Sequence, residues 1–218
     1  MRKSVTLAVI VGCIATGVEA APILHTTDFI ADGSRSAFNS FEAIPYDGGT
    51  FFTGGAGPYT EGGISVEQIG GDPGNDIWVT FFRPDGDFGW YPNGGDFGYT
   101  RITLAGGADF WDVGLLYASG FGESTTFYEL YNNALLVLAG SLPGTPNGSR
   151  GANYLGFSGG GFDEIRIYDR NACCGTMNTA AIDAIETAGA VPEPASLLLF
   201  GAAAVAGARR VRRRAVSA

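Results

Sequence analysis

Between residues 21 and 190 the chain alternates apolar and polar residues over short runs, and clusters of glycine and asparagine separate these runs. Phe, Tyr, Trp, Val, Ile and Thr dominate them, without a long stretch of helical 3.6-residue period. Alternation of this kind is typical of strands that bury one face. The predicted strands are Ile64–Ile69, Asp76–Phe82, Tyr99–Leu104, Phe110–Tyr117, Thr125–Tyr131, Ala134–Leu138, Asn153–Phe157 and Phe162–Tyr168.

Strands at this spacing, joined by Gly-rich loops, predict one all-β domain, an antiparallel β-sandwich of jelly-roll type. Tyr131–Ala134 is predicted to form a tight hairpin turn, because asparagine tolerates the positive φ that such turns need. For Ala181–Ile185 we expect a closing strand, with a short helix as the alternative because of its alanine content.

The segment Gly161–Asp169 resembles a late strand of concanavalin-like and jelly-roll domains. Alternation along it predicts two faces. One face carries Phe162, Glu164, Arg166 and Tyr168, and the other carries Ile165 and Ile167.

The first 20 residues have the features of a secretory signal peptide. A cationic Met1–Lys3 precedes the apolar run Val5–Ile14, and small residues lead to a predicted cleavage after Ala20. Ile10–Cys13 also resembles a bacterial lipobox, in which Cys13 would become a lipidated N-terminus. Both interpretations place residues 21–190 outside the cytoplasm.

The C-terminal end has three successive parts. Val191–Pro194 is expected to be extended and accessible, because proline lacks a backbone donor and restricts the residue before it. Residues 195–208 carry no charge, and as a helix they would span about 21 Å, less than the roughly 30 Å of a bilayer core. An arginine cluster follows, which would hold this end in the cytoplasm by the positive-inside rule: Arg209, Arg210, Arg212, Arg213 and Arg214.

This order of Val-Pro-Glu-Pro-Ala-Ser, short apolar helix and arginine cluster resembles the PEP-CTERM sorting signal of Gram-negative bacteria. The resemblance implies processing by an exosortase at or near Pro192, Glu193 and Pro194, followed by release or transfer to the cell surface. It also implies a link to exopolysaccharide and the biofilm matrix, and only transient anchoring in the inner membrane. We therefore divide the chain into a signal peptide (1–20), an extracytoplasmic domain (21–190) and a sorting signal (191–214).

The predicted domain is strongly acidic. Residues 21–190 contain six arginines, no lysine and twenty Asp or Glu residues, a balance of −14. Such a surface repels a phosphate backbone, so nucleic acid is not an expected partner. The carboxylates suit solubility outside the cell, or oxygen ligation of a hard cation such as Ca²⁺.

Catalytic and metal-binding side chains of other kinds are scarce. The single histidine, His25, lies just after the predicted cleavage site, which makes it a poor general base and argues against histidine-based zinc sites. Cys173 and Cys174 are adjacent, and a strained vicinal disulfide, bonds to another chain and free thiols all remain open. We expect a protein that is not an enzyme and has no catalytic residues.

The loop Pro84–Asp96 is the most interesting candidate site in the sequence. It places Asp85, Asp87 and Asp96 beside Trp90 and Tyr91. One interpretation is a calcium-assisted glycan site, since oxygen-rich loops hold Ca²⁺ and flat aromatic rings stack on sugars. In the other, this is a turn-rich connection whose Trp90 and Tyr91 fold back onto the core.

Taken together, these features favour a non-catalytic surface or matrix protein that binds polysaccharide or neighbouring proteins. Two alternatives remain open. The first is a secreted glycan hydrolase with paired carboxylates, and the second is a purely structural coat component. No cofactor is expected, apart from the calcium hypothesis.

Overall fold

The computed structural model describes residues 21–43, 51–54, 58–70, 75–78, 82–91, 94–96, 98–120, 122–170, 177–178 and 180–189. Within these ranges the regular structure is strand, apart from one 3₁₀ turn at Asp32–Ser34. The strands are β1 (Ile23–His25), β2 (Arg35–Asn39), β3 (Phe51–Gly54), β4 (Tyr59–Glu61), β5 (Ile64–Ile69), β6 (Asn75–Trp78), β7 (Gly89–Trp90), β8 (Gly94–Asp96), β9 (Tyr99–Leu104), β10 (Asp112–Ser119), β11 (Ser124–Asn132), β12 (Leu135–Thr145), β13 (Asn153–Ser158), β14 (Glu164–Arg170), β15 (Met177–Asn178) and β16 (Ala180–Ala188).

The strands form two large antiparallel sheets. The eight-stranded sheet has the order β1-β13-β10-β16-β7-β6-β3, with β2 also paired to β16. The six-stranded sheet has the order β12-β11-β14-β9-β5-β4, and β8 and β15 form a separate pair.

The strand pairs are nested in sequence, which is the signature of a jelly roll. The hairpin β11·β12 lies in the six-stranded sheet, β10·β13 in the eight-stranded sheet, β9·β14 in the six-stranded sheet and β7·β16 in the eight-stranded sheet. A long hairpin that wraps around itself produces this alternation between two facing sheets. The predicted jelly-roll-like β-sandwich is confirmed.

The core lies between the two sheets and follows the predicted alternation. On β14, Ile165 and Ile167 are fully buried, whereas Glu164, Arg166 and Tyr168 point outwards. They pack with inward residues of the opposite sheet, among them Val113 and Leu115 of β10, Leu155 and Phe157 of β13, and Ile182 and Ile185 of β16. Phe162 was predicted to share a face with Glu164, Arg166 and Tyr168, and this is wrong. The strand begins only at Glu164, and Phe162 stacks on Phe110 in the core.

Several strand bounds match the prediction and others differ. β5 and β9 have the predicted bounds, while β12 extends seven residues beyond the predicted Leu138, to Thr145. Ala181–Ile185 lies within strand β16, between β10 and β7 in the eight-stranded sheet, so the helical alternative is wrong. The predicted hairpin turn joins β11 to β12, with Asn133 and Ala134 both at positive φ.

The outer surface of the eight-stranded sheet is covered in part by the N-terminal segment. Arg35 Nε donates to Glu186 Oε2 at 2.5 Å, and the Tyr154 hydroxyl donates to Glu186 Oε1 at 3.1 Å. Phe29 packs edge-on against Tyr154, and a side chain at Gly156 would collide with both rings. Among the described residues, this cover restricts access to the outer surface of the eight-stranded sheet around Tyr154 and Glu186.

Candidate functional site

The loop singled out in the sequence turns its aromatic residues inwards. Trp90 and Tyr91 are 0% and 1% exposed, and Trp90 Nε1 donates to Thr100 Oγ1 at 3.2 Å. The interpretation as an aromatic glycan-binding loop is therefore wrong, because neither ring is available to a sugar. Trp90 fills the space between the sheets, as expected from the other interpretation, in which Trp90 and Tyr91 fold back onto the core.

Two carboxylates outside this loop fix its backbone. Asp183 Oδ2 accepts the Asp85 N–H at 3.0 Å. Glu42 Oε1 accepts the N–H groups of Asp87 and Phe88 at 2.7 and 2.8 Å. Burial raises the pKa of Asp183 to about 8, although its backbone hydrogen bonds to Asp85 and Ala184 oppose this shift.

The remaining sequence candidates for metal or thiol chemistry are the acidic side chains, the two cysteines and His25. Across the described ranges, no group of three or more His, Cys, Asp or Glu side chains is arranged to hold a metal ion. Cys173, Cys174 and the side chain of Asp96 lie outside the described residues. His25 belongs to β1, where its Nε2 lies 2.7 Å from Ser158 Oγ and its ring stacks on Phe29 at 4.0 Å.

A cluster of aromatic and arginine side chains occupies the outer face of the six-stranded sheet. Phe127 of β11 and Tyr168 of β14 are directly opposite in the antiparallel register, and their rings stack with centroids 5.3 Å apart and planes 5° apart. We call the group the outer aromatic face; its members are Tyr99, Phe127, Tyr131, Arg166, Tyr168 and Arg170.

Arg166 links the rings of this face. Its guanidinium carbon lies 3.9 Å from the centroid of the Tyr131 ring and 4.8 Å from that of the Tyr99 ring, within the range of cation–π attraction. Arg166 also forms an ion pair with Glu164 on the same strand. Arg170, which is exposed, lies over the rings of Tyr168 and Phe127 at 5.4 and 5.8 Å.

Glu129 organises the hydroxyl groups at the centre of this face. The Tyr131 hydroxyl donates to Glu129 Oε2 at 2.8 Å, and the Tyr168 hydroxyl donates to Glu129 Oε1 at 3.3 Å. The hydrogen bond to Glu129 raises the pKa of Tyr131, and burial together with Glu129 raises the pKa of Tyr168. Both phenols therefore stay protonated at neutral pH.

Arg101 extends the polar part of the surface towards β5. Its Nε donates to Glu67 Oε1 at 2.6 Å, and its Nη1 lies 3.9 Å from Glu164 Oε2. Three of the six arginines of residues 21–190 are thus on this sheet face, balanced by Glu67, Glu129 and Glu164. The face is locally neutral in a strongly acidic domain.

A shallow cleft of about 200 Å³ opens within this surface. It is lined by Gly98, Tyr99, Glu129, Arg166, Tyr168, Asp169 and Arg170. The cleft combines flat apolar ring surface with hydroxyl, carboxylate and guanidinium groups. Such a combination can stack on a planar or ring-shaped ligand and hydrogen-bond its polar substituents.

Sequence reasoning found part of this surface and missed the rest. Alternation along β14 put Glu164, Arg166 and Tyr168 on one face, as the structure confirms. The contributions of Phe127 and Tyr131 depend on the pairing of β11 with β14. The same alternation is present in Thr125–Tyr131, so the sequence of each strand indicates which residues share a face. The sequence does not indicate the register in which β11 pairs with β14.

Comparison with known proteins identifies the C-terminal tail. The fold defines the class of protein, an antiparallel jelly roll, and the outer aromatic face is its candidate binding surface. Residues 190–214 match the family model for the PEP-CTERM protein-sorting motif. The protein is therefore exported and sorted towards the cell surface as an exosortase substrate. A search of curated proteins finds no relative of this chain.

The match covers the predicted processing residues Pro192, Glu193 and Pro194 and the arginines from Arg209 to Arg214. These residues and the predicted apolar helix at 195–208 lie outside the described residues. In the part of the chain that the structure describes, no helix is long and apolar enough to cross a membrane. Transient anchoring of the tail in the inner membrane stays a prediction.

Proposed function

We propose that this protein is a non-catalytic polysaccharide-binding component of the cell surface or extracellular matrix, and that the outer aromatic face binds the glycan. The stack of Phe127 on Tyr168 carries the proposal. Paired aromatic rings on the solvent side of a sandwich are unusual, because outward positions of such sheets are mostly polar. Ring faces of this kind match the apolar faces of pyranose sugars.

The surrounding polar groups support the same ligand class. Glu129 accepts two phenolic hydrogen bonds, and Arg166 is held between Tyr99, Tyr131 and Glu164. These groups are fixed before a ligand arrives, which reduces the entropy lost on binding. They can donate to and accept from sugar hydroxyls.

The charge distribution favours a neutral glycan over a polyanion. On the outer face of the six-stranded sheet three arginines balance Glu67, Glu129 and Glu164, while residues 21–190 together carry −14. A chain of uronic acids or sulfated sugars would be repelled by this field at low ionic strength. The ligand class we propose is therefore a neutral polysaccharide, without a requirement for a metal ion.

The test is retention of the full chain in native gels that contain β-glucan, xylan, galactomannan or alginate. We expect retardation by at least one of the three neutral polymers, less by alginate, and the same result with EDTA present. Tyr168→Ala or Phe127→Ala should weaken binding about fivefold or more, since a stacked aromatic contributes about 1 kcal/mol or more. Trp111→Ala is the matched control, because Trp111 is 48% exposed but lies outside this face.

Two results would contradict the proposal. Absence of retardation by every polymer would argue against glycan binding, and equal losses in the Tyr168→Ala and Trp111→Ala proteins would argue against this face.

The same polymers test the hydrolase alternative. We expect no new reducing ends after prolonged incubation, and their appearance, abolished by a carboxylate substitution, would make the protein an enzyme.

A further inference from the structure

The free edge of the six-stranded sheet differs from the other sheet edges of the described chain. β12 is eleven residues long and pairs only with β11 among the described strands. The other described edge strands have five residues or fewer: β2 has five, β3 has four, β1, β4 and β8 have three each, and β15 has two. Natural sheets protect their edges with short strands, charges or bulges, because unpaired N–H and C=O groups can pair with another chain. The backbone edge of β12 that is available for such pairing is about 36 Å long.

The side chains of β12 do not protect the edge. Leu135, Leu136 and Val137 are 72%, 56% and 39% exposed, and the whole strand contains no charged residue. Three partial protections are present: a bulge opposite Leu130 and Tyr131, a second bulge opposite Ser124 and Thr125, and a proline at position 143. The short edge strand β4, in contrast, ends in a glutamate, Glu61.

The negative charge of the domain favours this edge over other surfaces for contact between two copies of the chain. Because residues 21–190 carry −14, contact between two copies through most surfaces would bring carboxylates together. Along β12 that cost is absent, and exposed leucine and valine side chains would be buried instead. An antiparallel strand is also self-complementary about a two-fold axis, which is the commonest symmetry of protein dimers.

We propose that β12 is a homotypic docking edge, at which two copies of this chain pair antiparallel, β12 against β12. The two six-stranded sheets then form one continuous sheet of twelve strands. A two-fold axis perpendicular to the sheet keeps both outer aromatic faces on the same side. Two linked binding faces gain avidity for a long polymer without any new contact to it.

The test measures self-association of the full chain without glycan, in a mild detergent that keeps the apolar tail dispersed. Sedimentation velocity over a range of protein concentrations should show a monomer–dimer equilibrium that strengthens with salt, as repulsion between acidic copies is screened. Leu136→Lys with Val137→Lys should weaken dimerisation at least about tenfold, because exposed lysines protect a sheet edge against pairing and the apolar contact at these positions is lost.

The matched control is Ile23→Lys with Leu24→Lys. These two residues of β1 are 59% and 38% exposed, close to the values of Leu136 and Val137, and lie at the edge of the other sheet. The control protein should dimerise like the unmodified chain. A monomer at every concentration would overturn the proposal, as would equal effects of the two double substitutions.

Hydrogen exchange on the unmodified protein gives a second measurement that does not depend on the folding of a variant. The amides of Leu135–Thr145 that point away from β11 should become more protected as concentration rises, while those of β4 should not change. Protection that is independent of concentration, or that rises only elsewhere, would contradict pairing through β12. Glycan retention by a monomer would leave the proposed function intact and separate the two proposals.

Discussion

At the scale of single residues, Asp183 makes the stability of the protein depend on pH. The side chain is fully buried, and burial raises its pKa from 3.8 to about 8. Between these values the folded protein holds a proton that the unfolded chain releases, so the free energy of unfolding falls as pH rises from about 4 to about 8. The limiting slope is about 1.4 kcal/mol per pH unit.

Asp183→Asn should flatten this pH dependence, as measured by urea unfolding at pH 5 and pH 8. It should not abolish the slope, because burial also raises the pKa of Glu186 and contributes in the same direction. Asp87→Asn is the control, since Asp87 is 73% exposed. If the Asp183→Asn protein and the unmodified protein lose stability in parallel, Asp183 is not the group responsible.

Individual residues also show where sequence reasoning succeeds and where it stops. Arg166 and Tyr168 were assigned to the same face by alternation along a single strand, which needs no knowledge of neighbours, and the structure shows that this face is the outer one. Trp90 could not be placed in this way, because its burial depends on β7 pairing with both β6 and β16. The stack of Phe127 on Tyr168 similarly depends on cross-strand register.

At the scale of elements, the β11–β12 hairpin contains a strained residue. Asn133 and Ala134 have φ of 49° and 64°, the left-handed conformation that a two-residue hairpin turn requires. Asparagine tolerates this region, whereas alanine is strained in it by about 1–2 kcal/mol. Ala134→Gly should therefore stabilise the protein by about 1 kcal/mol, after the greater entropy of glycine in the unfolded chain is subtracted.

The measurement is chemical denaturation of the two proteins under the same conditions. Ala139→Gly provides the control, because Ala139 lies within strand β12, where glycine should cost roughly 0.5–1 kcal/mol. Opposite signs at positions 134 and 139 are expected. A loss of stability at both positions would mean that the turn imposes no strain on Ala134.

Element bounds were predictable where one face is buried along the whole strand. Ile64–Ile69 and Tyr99–Leu104 alternate clearly and lie inside the six-stranded sheet, so their pattern defines both ends. β12 continues through Gly140, Pro143 and Gly144 because an edge strand tolerates residues that a central strand does not. The closing strand expected at Ala181–Ile185 is confirmed as part of β16, and the packing of β16 between β10 and β7 excludes the helix that its alanines had left open.

At the scale of the whole molecule, the jelly roll and the sorting motif are separate in sequence. β16 ends at Ala188, and the PEP-CTERM motif begins at residue 190. Cleavage at or near Pro192–Pro194 would therefore remove none of the described strands and leave the described core unchanged. The motif was predictable from the sequence because it consists of consecutive residues. The outer aromatic face was not, because its residues come from three strands that only folding brings together.

This separation predicts that processing can be blocked without a change in folding. Pro192→Ala with Pro194→Ala should leave an uncleaved, membrane-associated form in a host that contains the exosortase, as measured by intact mass and membrane fractionation. The unmodified chain should give the same uncleaved form in a host without the enzyme. Pro58→Ala with Pro84→Ala is the control, since both prolines are exposed and lie outside the motif.

Thermal unfolding completes this test, because it separates a sorting defect from a folding defect. Cleaved and uncleaved forms should unfold at the same temperature, since every described strand of the two sheets lies before the sorting motif. Identical processing with and without the exosortase would contradict its role. A lower unfolding temperature of the cleaved form would instead mean that the tail packs on the sandwich, so that its removal changes the protein delivered to the surface.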